Sequence, residues 1–173
     1  PHACDAGEDL TERPMVIRSV SLTHVRNHEH TEISCARDVN VLTGQNGSGK
    51  TSILEAISLC AIAKSFVPVS DQALIQHGYD DCTSTVDALR DLDVPYRVTV
   101  SVRNGTRKRI TTAHGSSLTP RDIIGELPMV ALSPDHKSVT FGGPAERRAF
   151  LDGVMAQSSR RFTELLYEHR RLL

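Results

Sequence analysis

The chain has 173 residues, 39% of them hydrophobic and 24% charged, with a formal net charge of −1. These values are typical of a soluble globular protein and exclude a disordered or membrane-embedded one. No apolar run approaches the roughly 20 residues that a membrane span needs, and nothing resembles a signal peptide.

Charge is unevenly distributed along the sequence. Residues 1–100 hold 8 Lys and Arg against 14 Asp and Glu, whereas residues 101–173 hold 12 against 7. A basic second half could bind a polyanion, and it could equally be an ordinary solvated surface. The four cysteines form no C-x-x-C pair, which indicates a cytosolic protein without disulfides.

The first third of the chain contains three predicted strands. We expect residues 1–14 to be a flexible tail before Met15, and residues 15–25 alternate as a half-buried strand does. A second short strand is predicted at 30–36, and the apolar run 39–43 predicts a central strand. His28 and His30 would share a face there, but no ligand motif completes a metal site.

The next elements are a helix and a hairpin. A helix is predicted from Lys50 to Lys64, apolar nearly all round and therefore buried on most sides. A short helix is expected near 70–77. The strictly alternating strand 94–102 is followed by Asn104-Gly105, a strong hairpin signal, and by the returning strand 106–112.

The last third is predicted to be mainly helical. A short helix begins with Thr119 as its cap and Pro120 in its first position, and 128–132 is apolar enough for another strand. Two helices follow, 144–157 and 159–173. The order of elements predicts an α/β protein.

Residues 44–51 carry the clearest chemical signal in the sequence. Gly44, Gly49, Lys50 and Thr51 fit the pattern G-x-x-x-x-G-K-[ST] between a predicted strand and a predicted helix. Glycines let the backbone curl so that its N–H groups surround an anion, and the helix N-terminus points at the same anion. The pattern predicts ATP binding by Gly44, Gln45, Asn46, Gly47, Ser48, Gly49, Lys50 and Thr51.

Two of these residues have individual expected roles. Lys50 would reach the β- and γ-phosphates, and the hydroxyl of Thr51 would bind Mg²⁺. Hydrolysis also needs an acidic residue at the end of a strand, for which Asp135 is the best local candidate. The sequence has no LSGGQ-like run, so we expect the missing motifs downstream of Leu173 if the chain is a fragment.

Longer segments resemble a known family. The stretch LTHVRNHEH…VNVLTGQNGSGKTSILEAISL is similar to the N-terminal head of structural-maintenance and ABC-type ATPases. Residues 64–78 and the segment LSPDHKSVTFGGPAERRAFLDG, 132–153, resemble the RecF family of recombination-repair proteins. The resemblance runs from about Val16 to Leu173, over the first half of a RecF-like protein.

The resemblance implies a fold and a division of the chain. The fold would be a P-loop NTPase of the ABC/SMC-head type, with a mixed β-sheet around the P-loop helix. Residues 15–112 would form the N-terminal part of an ATP-binding lobe I, and residues 113–173 the start of a helical lobe II that is truncated. Arg26 and Asn27 match the family's RN turn and would lie near the nucleotide.

The resemblance also implies a function. RecF-like proteins act in the bacterial cytoplasm, dimerise with ATP on double-stranded DNA beside single-stranded gaps, and help RecO and RecR load recombinase. The sequence departs from the family at three places. His28 stands where the family usually has an aromatic residue, and Val67 replaces a usual arginine. Val130-Ala131 leave no glutamine near the junction of the two lobes. The last two departures concern phosphate-side or γ-phosphate-sensing contacts.

Basic residues in two places could contact DNA. Arg107, Lys108 and Arg109 are expected on an exposed hairpin, and Arg147 and Arg148 near the start of a helix. Contacts to phosphate there would be independent of sequence and sensitive to salt. Both groups could instead be solvated charges that discourage aggregation.

Two other functions stay open on the sequence. A small P-loop kinase would suit a chain of this length, with Arg147-Arg148 or Arg160-Arg161 as its arginine-bearing lid. The strands before the loop and the GGPAERRAFLD segment argue against a kinase. The third possibility is a module that binds ATP without turning it over.

Overall fold

The computed structural model describes residues 15–90, 93–133 and 142–172, so the predicted tail and Asp135 lie outside the described residues. Its centre is a six-stranded sheet in the order β2-β1-β3-β4-β5-β6, and every described pairing is antiparallel. The strands are β1 Val16–Val25, β2 His28–Ser34, β3 Asp81–Leu89, β4 Pro95–Arg103, β5 Arg109–Thr112 and β6 Ser117–Leu118.

Helices cover one face of the sheet and continue the chain beyond it. They are α1 Lys50–Ile62, the 3₁₀ turn Asp71–Leu74, α2 Pro120–Ile123, α3 Pro144–Ser158 and α4 Arg160–Leu172. The long helix α1 packs across β1, β3 and β4. Within the described ranges, each helix is too short or too polar to cross a lipid bilayer.

The core lies between α1 and the sheet because alternate strand residues face the helix. Cys82, Ser84, Val86 and Ala88 of β3 are buried, as are the alternate valines of β4. The helix contributes small side chains at the contact, such as Ala56, Cys60 and Ala61, together with Leu59. Small residues let the helix axis approach the sheet closely, which positions the loop before α1 against the end of β1.

The strands predicted at 39–43 and 128–132 are wrong, since neither segment belongs to the described sheet. Several of their side chains are strongly exposed: Val39 by 75%, Val41 by 77%, Val130 by 76% and Leu132 by 88%. Leu42 and Met129, in contrast, pack on the core. An apolar run becomes a central strand only where other strands flank it, and the described sheet supplies none beside these two segments.

Most other predicted elements are confirmed, with shifted ends. The first two strands, the 3₁₀ turn and the last two helices are present, and Asn104-Gly105 turns the hairpin between β4 and β5. Helix α1 ends at Ile62, earlier than expected, because Ala63 adopts a left-handed conformation with φ 57°. Helix α1 is buried on most sides, as predicted, although Leu54 is 45% exposed. Strand β3 was not predicted.

The sheet and its core extend beyond residue 112, where a lobe boundary was expected. Strand β6 pairs with β5, and Ile123 and Leu127 are buried in the core beside α1. The segment then approaches α3 closely: a Cβ on Gly125 would lie 2.8 Å from the Gln157 carbonyl oxygen. Helices α3 and α4 meet where the Thr163 hydroxyl donates to the Ala156 carbonyl over 2.7 Å.

Candidate nucleotide-binding site

The glycine-rich loop is a tightly curled connection between the segment 39–43 and α1. Gly44, Gly47 and Gly49 have φ angles of 151°, 82° and 89°, in the region that favours glycine. Gly49 is the N-cap of α1, and its carbonyl accepts the first helical hydrogen bond, from the Ile53 N–H, over 3.2 Å. The loop therefore ends at a helix N-terminus with its unpaired N–H groups and positive dipole end.

Lys50 folds back over this loop. Its ammonium Nζ donates to the carbonyls of Gly44, over 2.8 Å, and Gln45, over 2.7 Å, and lies 3.4 Å from the Ser48 hydroxyl. The loop is further closed by the Ser48 N–H, which donates to the Gln45 carbonyl over 3.2 Å. These contacts place the predicted phosphate-binding cation on the loop that the pattern identified. Thr51 is exposed at the helix start.

The turn between β1 and β2 contacts the loop from outside. The Asn27 amide Nδ2 donates to the Gly47 carbonyl over 3.0 Å, and His28 Nε2 lies 3.1 Å from the Gly49 carbonyl oxygen. There is no room for a side chain between them: a Cβ on Gly49 would lie 2.2 Å from His28 Nε2 and 2.6 Å from Asn27 Oδ1. A side chain at Gly49 would therefore need an unfavourable φ angle and a shift of the Asn27 and His28 side chains.

Arg26, in the same turn, contacts α1 and not the loop. Its guanidinium donates to the Glu55 carboxylate through Nη2, over 2.9 Å, and Nε, over 3.2 Å. The Ser65 hydroxyl also donates to Glu55, over 2.9 Å. Arg26 has a φ of 57°, and its own N–H donates to the Leu74 carbonyl over 2.7 Å. The structure thus brings Asn27 to the loop and directs Arg26 to the helix that follows it.

Two residues of this site were missed or undervalued by sequence reasoning. Glu55 is a lone acid inside an otherwise apolar helix, a pattern that could have indicated a buried ion pair with a nearby arginine. His28 was considered as a possible metal ligand and as a departure from an aromatic residue, and not as a contact of the loop. Its contact with Gly49 depends on how the β1–β2 turn sits against the loop, and local sequence carries no signal for that.

The basic residues predicted to contact DNA have different surroundings. Arg107 and Arg109 are exposed, whereas the Lys108 ammonium bonds to the Asp71 carboxylate, 2.6 Å away, and to the Ala63 carbonyl. Arg147 and Arg148 are exposed on α3, and Arg147 Nη1 donates to the Gly142 carbonyl over 2.9 Å. Lys108 is thus engaged in holding the hairpin loop against the end of α1.

The described cysteines, Cys35, Cys60 and Cys82, are free thiols. Burial raises the pKa of Cys60 from 9.0 to about 12 and that of Cys82 to about 11, so both stay protonated at neutral pH.

Among the described residues, no group of three His, Cys, Asp or Glu side chains could hold a metal ion. His28 and His30 instead approach the hydroxyls of Thr31 and Thr23.

Comparison with known proteins identifies the class. Residues 19–126, more than half of the chain, match the family model described as AAA domain, and the chain belongs to this family. It is similar to the DNA replication and repair protein RecF of Chlorobium phaeovibrioides, at 35% identity over 162 residues, and of Chlorobium limicola, at 36% over 164. These alignments cover 92% of this chain and 43% and 44% of the relatives, which confirms the RecF resemblance.

Solved structures support the same fold. The recombination mediator protein RecF with ATP, from the RecFOR pathway, superimposes with a TM-score of 0.82 at 22% identity, over 88% of this chain and 41% of that one. A structure from work on ATP-driven dimerization and DNA-stimulated activation of SMC ATPases gives 0.63 at 19% identity, over 80% and 99%. The predicted P-loop ATPase fold of the RecF and SMC-head type is confirmed. The chain spans less than half the length of the RecF relatives.

Proposed function

We propose that residues 44–51 bind the triphosphate of ATP together with Mg²⁺. The observation that carries this proposal is the curled loop whose Gly49 leaves no space for a Cβ and whose Lys50 ammonium lies within hydrogen-bond reach of the loop. A helix N-terminus preceded by such a loop concentrates N–H donors and positive potential, which fits a polyphosphate.

The residues have separate parts in this proposal. Lys50 would exchange its bonds to the Gly44 and Gln45 carbonyls for the β- and γ-phosphates, and the exposed Thr51 hydroxyl would bind Mg²⁺. The backbone of Gln45, Asn46, Gly47 and Ser48 would surround the phosphates. Bound ATP would supply a compact negative charge that a second protein surface can also contact.

For the full-length protein we propose the function of a RecF-like recombination mediator. It would bind double-stranded DNA beside single-stranded gaps, dimerise when ATP is bound, and help partner proteins like RecR and RecO load recombinase. The similarity to RecF over 92% of the chain supports this proposal, as does the structural similarity to an SMC ATPase from work on ATP-driven dimerization. A bacterial cytoplasmic location would follow from it.

The proposed DNA contacts are the exposed arginines. Arg107 lies in the loop between β4 and β5, Arg109 is the first residue of β5, and Arg147 and Arg148 lie in the first turns of α3. Lys108 is left out because its ammonium is already paired with Asp71. Arginine is well suited to phosphate oxygens because its planar group presents several N–H donors at once.

We further propose that the 173-residue chain binds ATP with little turnover. The best candidate in the sequence for the acid that hydrolysis needs is Asp135, which lies outside the described residues. A turnover assay with and without double-stranded DNA checks this directly. Strong DNA-stimulated hydrolysis by the 173-residue chain would contradict it.

The main test compares two lysines by titration with a fluorescent ATP analogue and Mg²⁺. Lys50→Ala should weaken binding at least about tenfold, since it removes charge-assisted hydrogen bonds. Lys64→Ala is the matched control, because Lys64 is an exposed lysine just beyond α1 and the substitution changes net charge equally. Equal affinities for the two variants would refute the proposed site. In the full-length protein, sedimentation on DNA should show that Lys50→Ala abolishes the ATP-dependent dimer.

A further inference from the structure

Two side chains of the β1–β2 turn contact backbone carbonyls of the phosphate loop, at residues two positions apart. Asn27 Nδ2 bonds to the Gly47 carbonyl over 3.0 Å, and His28 Nε2 approaches the Gly49 carbonyl over 3.1 Å. The turn is itself anchored, because Arg26 is bonded to Glu55 of α1 and its N–H to Leu74. Asn27 and His28 therefore contact the loop from a turn whose own position is fixed.

Holding a carbonyl fixes more than one atom. The carbonyl and the following N–H belong to one planar trans peptide unit and point in opposite directions. Asn27 thus sets the peptide plane between Gly47 and Ser48, and His28 sets the plane between Gly49 and Lys50. Glycines have the widest choice of backbone conformations, so these are the positions where an outside restraint limits the loop most.

The contacts also define the state of His28. A carbonyl oxygen only accepts hydrogen bonds, so Nε2 must carry the proton that faces Gly49. In the neutral ring Nδ1 is then an acceptor, and the Thr31 hydroxyl, 2.8 Å away, is placed to donate to it. Thr31 lies in β2 itself, and its bond orients the ring edge toward the loop.

We propose that Asn27 and His28 are positioning residues for nucleotide binding: they hold the phosphate loop in its curled, anion-accepting form before a ligand arrives. The inference rests on the proposed ATP site and adds a reason for its affinity. A loop that is already ordered loses less conformational entropy on binding. Neither side chain needs to touch the nucleotide to act in this way.

The experiment measures ATP affinity for a graded set of variants of the 173-residue chain. His28→Phe keeps a ring of similar size but has no donor, and Asn27→Ala removes the other bond. His28→Gln keeps an N–H donor near the position of Nε2, so it should restore binding. His30→Phe is the matched control, because His30 is exposed on the same strand and approaches Thr23 instead of the loop.

We expect Asn27→Ala and His28→Phe each to weaken ATP binding by about 3- to 10-fold, the range for one lost hydrogen bond. His28→Gln and His30→Phe should bind within about twofold of the unchanged chain. Amide exchange at residues 47–50, measured without nucleotide, should be faster in the first two variants only. Unchanged affinity and exchange in both would overturn the proposal.

Two further measurements test this inference independently of the proposed ATP site. If the unchanged chain failed to bind ATP, the proposed function would be refuted, and amide exchange in the nucleotide-free loop would still decide whether the two side chains order it. If His28→Phe failed to fold, the ¹⁵N shifts of the unchanged His28 ring would decide. A proton on Nε2 supports the proposal, and a proton on Nδ1 alone overturns it.

Discussion

Arg26 and Glu55 form a two-point ion pair, Nη2 to Oε1 over 2.9 Å and Nε to Oε2 over 3.2 Å, that joins the β1–β2 turn to the P-loop helix. The Glu55 side chain is 4% exposed and the Arg26 side chain 30%. Because Ser65 also donates to this carboxylate, Glu55 connects three separate segments around the loop. The RN turn thus contacts the site in two places: Arg26 bonds to helix α1, and Asn27 bonds to the phosphate loop.

Removing the arginine should be costly, since it leaves a buried carboxylate with the Ser65 hydroxyl as its remaining described partner. We expect Arg26→Ala to lower the free energy of unfolding by about 2 kcal/mol or more, measured by urea denaturation. Arg97→Ala is the control: it breaks an ion pair with Asp87 whose arginine is 54% exposed, and should cost less than about 1 kcal/mol. Similar losses in the two variants would contradict the role given to burial.

Gly49→Ala tests the close approach of the turn to the loop. The φ of 89° costs an L-residue about 1–2 kcal/mol, and the new Cβ would also collide with His28 Nε2 at 2.2 Å. Gly47→Ala shares the backbone strain, with φ 82°, but its Cβ would meet nothing within 4 Å. Thermal unfolding and ATP titration should therefore show a much larger defect at Gly49, and equal defects would rule out the steric explanation.

Stability should fall in alkaline solution because of the buried thiol of Cys60. Burial raises its folded pKa from 9.0 to about 12, so above pH 9 the unfolded chain loses a proton that the folded chain keeps. The stabilising difference is fully present below pH 9 and is lost progressively between pH 9 and pH 12. Each such group contributes a slope of about 1.4 kcal/mol per pH unit.

The check is urea unfolding from pH 8.5 to pH 10.5 for the unchanged chain and for Cys60→Ala. The free energy of unfolding of the variant should decline less steeply with pH. Part of the decline should remain, because Cys82, with a pKa of about 11, is still present. Identical slopes would show that Cys60 is not protected from ionising. Cys35→Ala is a suitable comparison, since that thiol is only half-buried.

Measurements of DNA binding by the full-length protein should distinguish the roles of neighbouring basic residues in the hairpin. The double variant Arg107→Ala, Arg109→Ala should reduce the slope of log affinity against log salt by about 2, if each arginine neutralises one phosphate. Lys108→Ala should leave that slope unchanged and lower stability instead, because its ammonium is paired with Asp71. A reduced slope in Lys108→Ala would reverse these assignments.

Local signals in the sequence predicted local structure well. Thr119 begins α2 as expected, and its backbone N–H and hydroxyl both donate to Asp122 over 2.7 Å in a capping box. The hairpin at Asn104-Gly105 is likewise decided within a few residues. The glycine spacing of 44–51 belongs to the same group, because the glycines that permit the backbone curl lie inside the loop itself.

Features that depend on distant neighbours were not predictable. Strand β3 was missed because its buried positions include small or polar residues, Cys82 and Ser84, which give a weak alternating pattern. The run 39–43 gave a strong pattern and is no strand, because strand pairing is decided by what lies beside it. In the site, the bond from Asn27 to Gly47 spans 20 residues and follows from the placement of a whole turn.

The exposed side chains of 39–41 and 130–132 bear on how the protein behaves when concentrated. Exposed valine and leucine side chains are sites at which two copies of a chain can associate. Light scattering should therefore rise steeply with concentration, and Leu132→Lys should suppress it without changing the unfolding midpoint, because that side chain is 88% exposed. Colloidal stability, as distinct from folding stability, would then be set by a few exposed apolar residues.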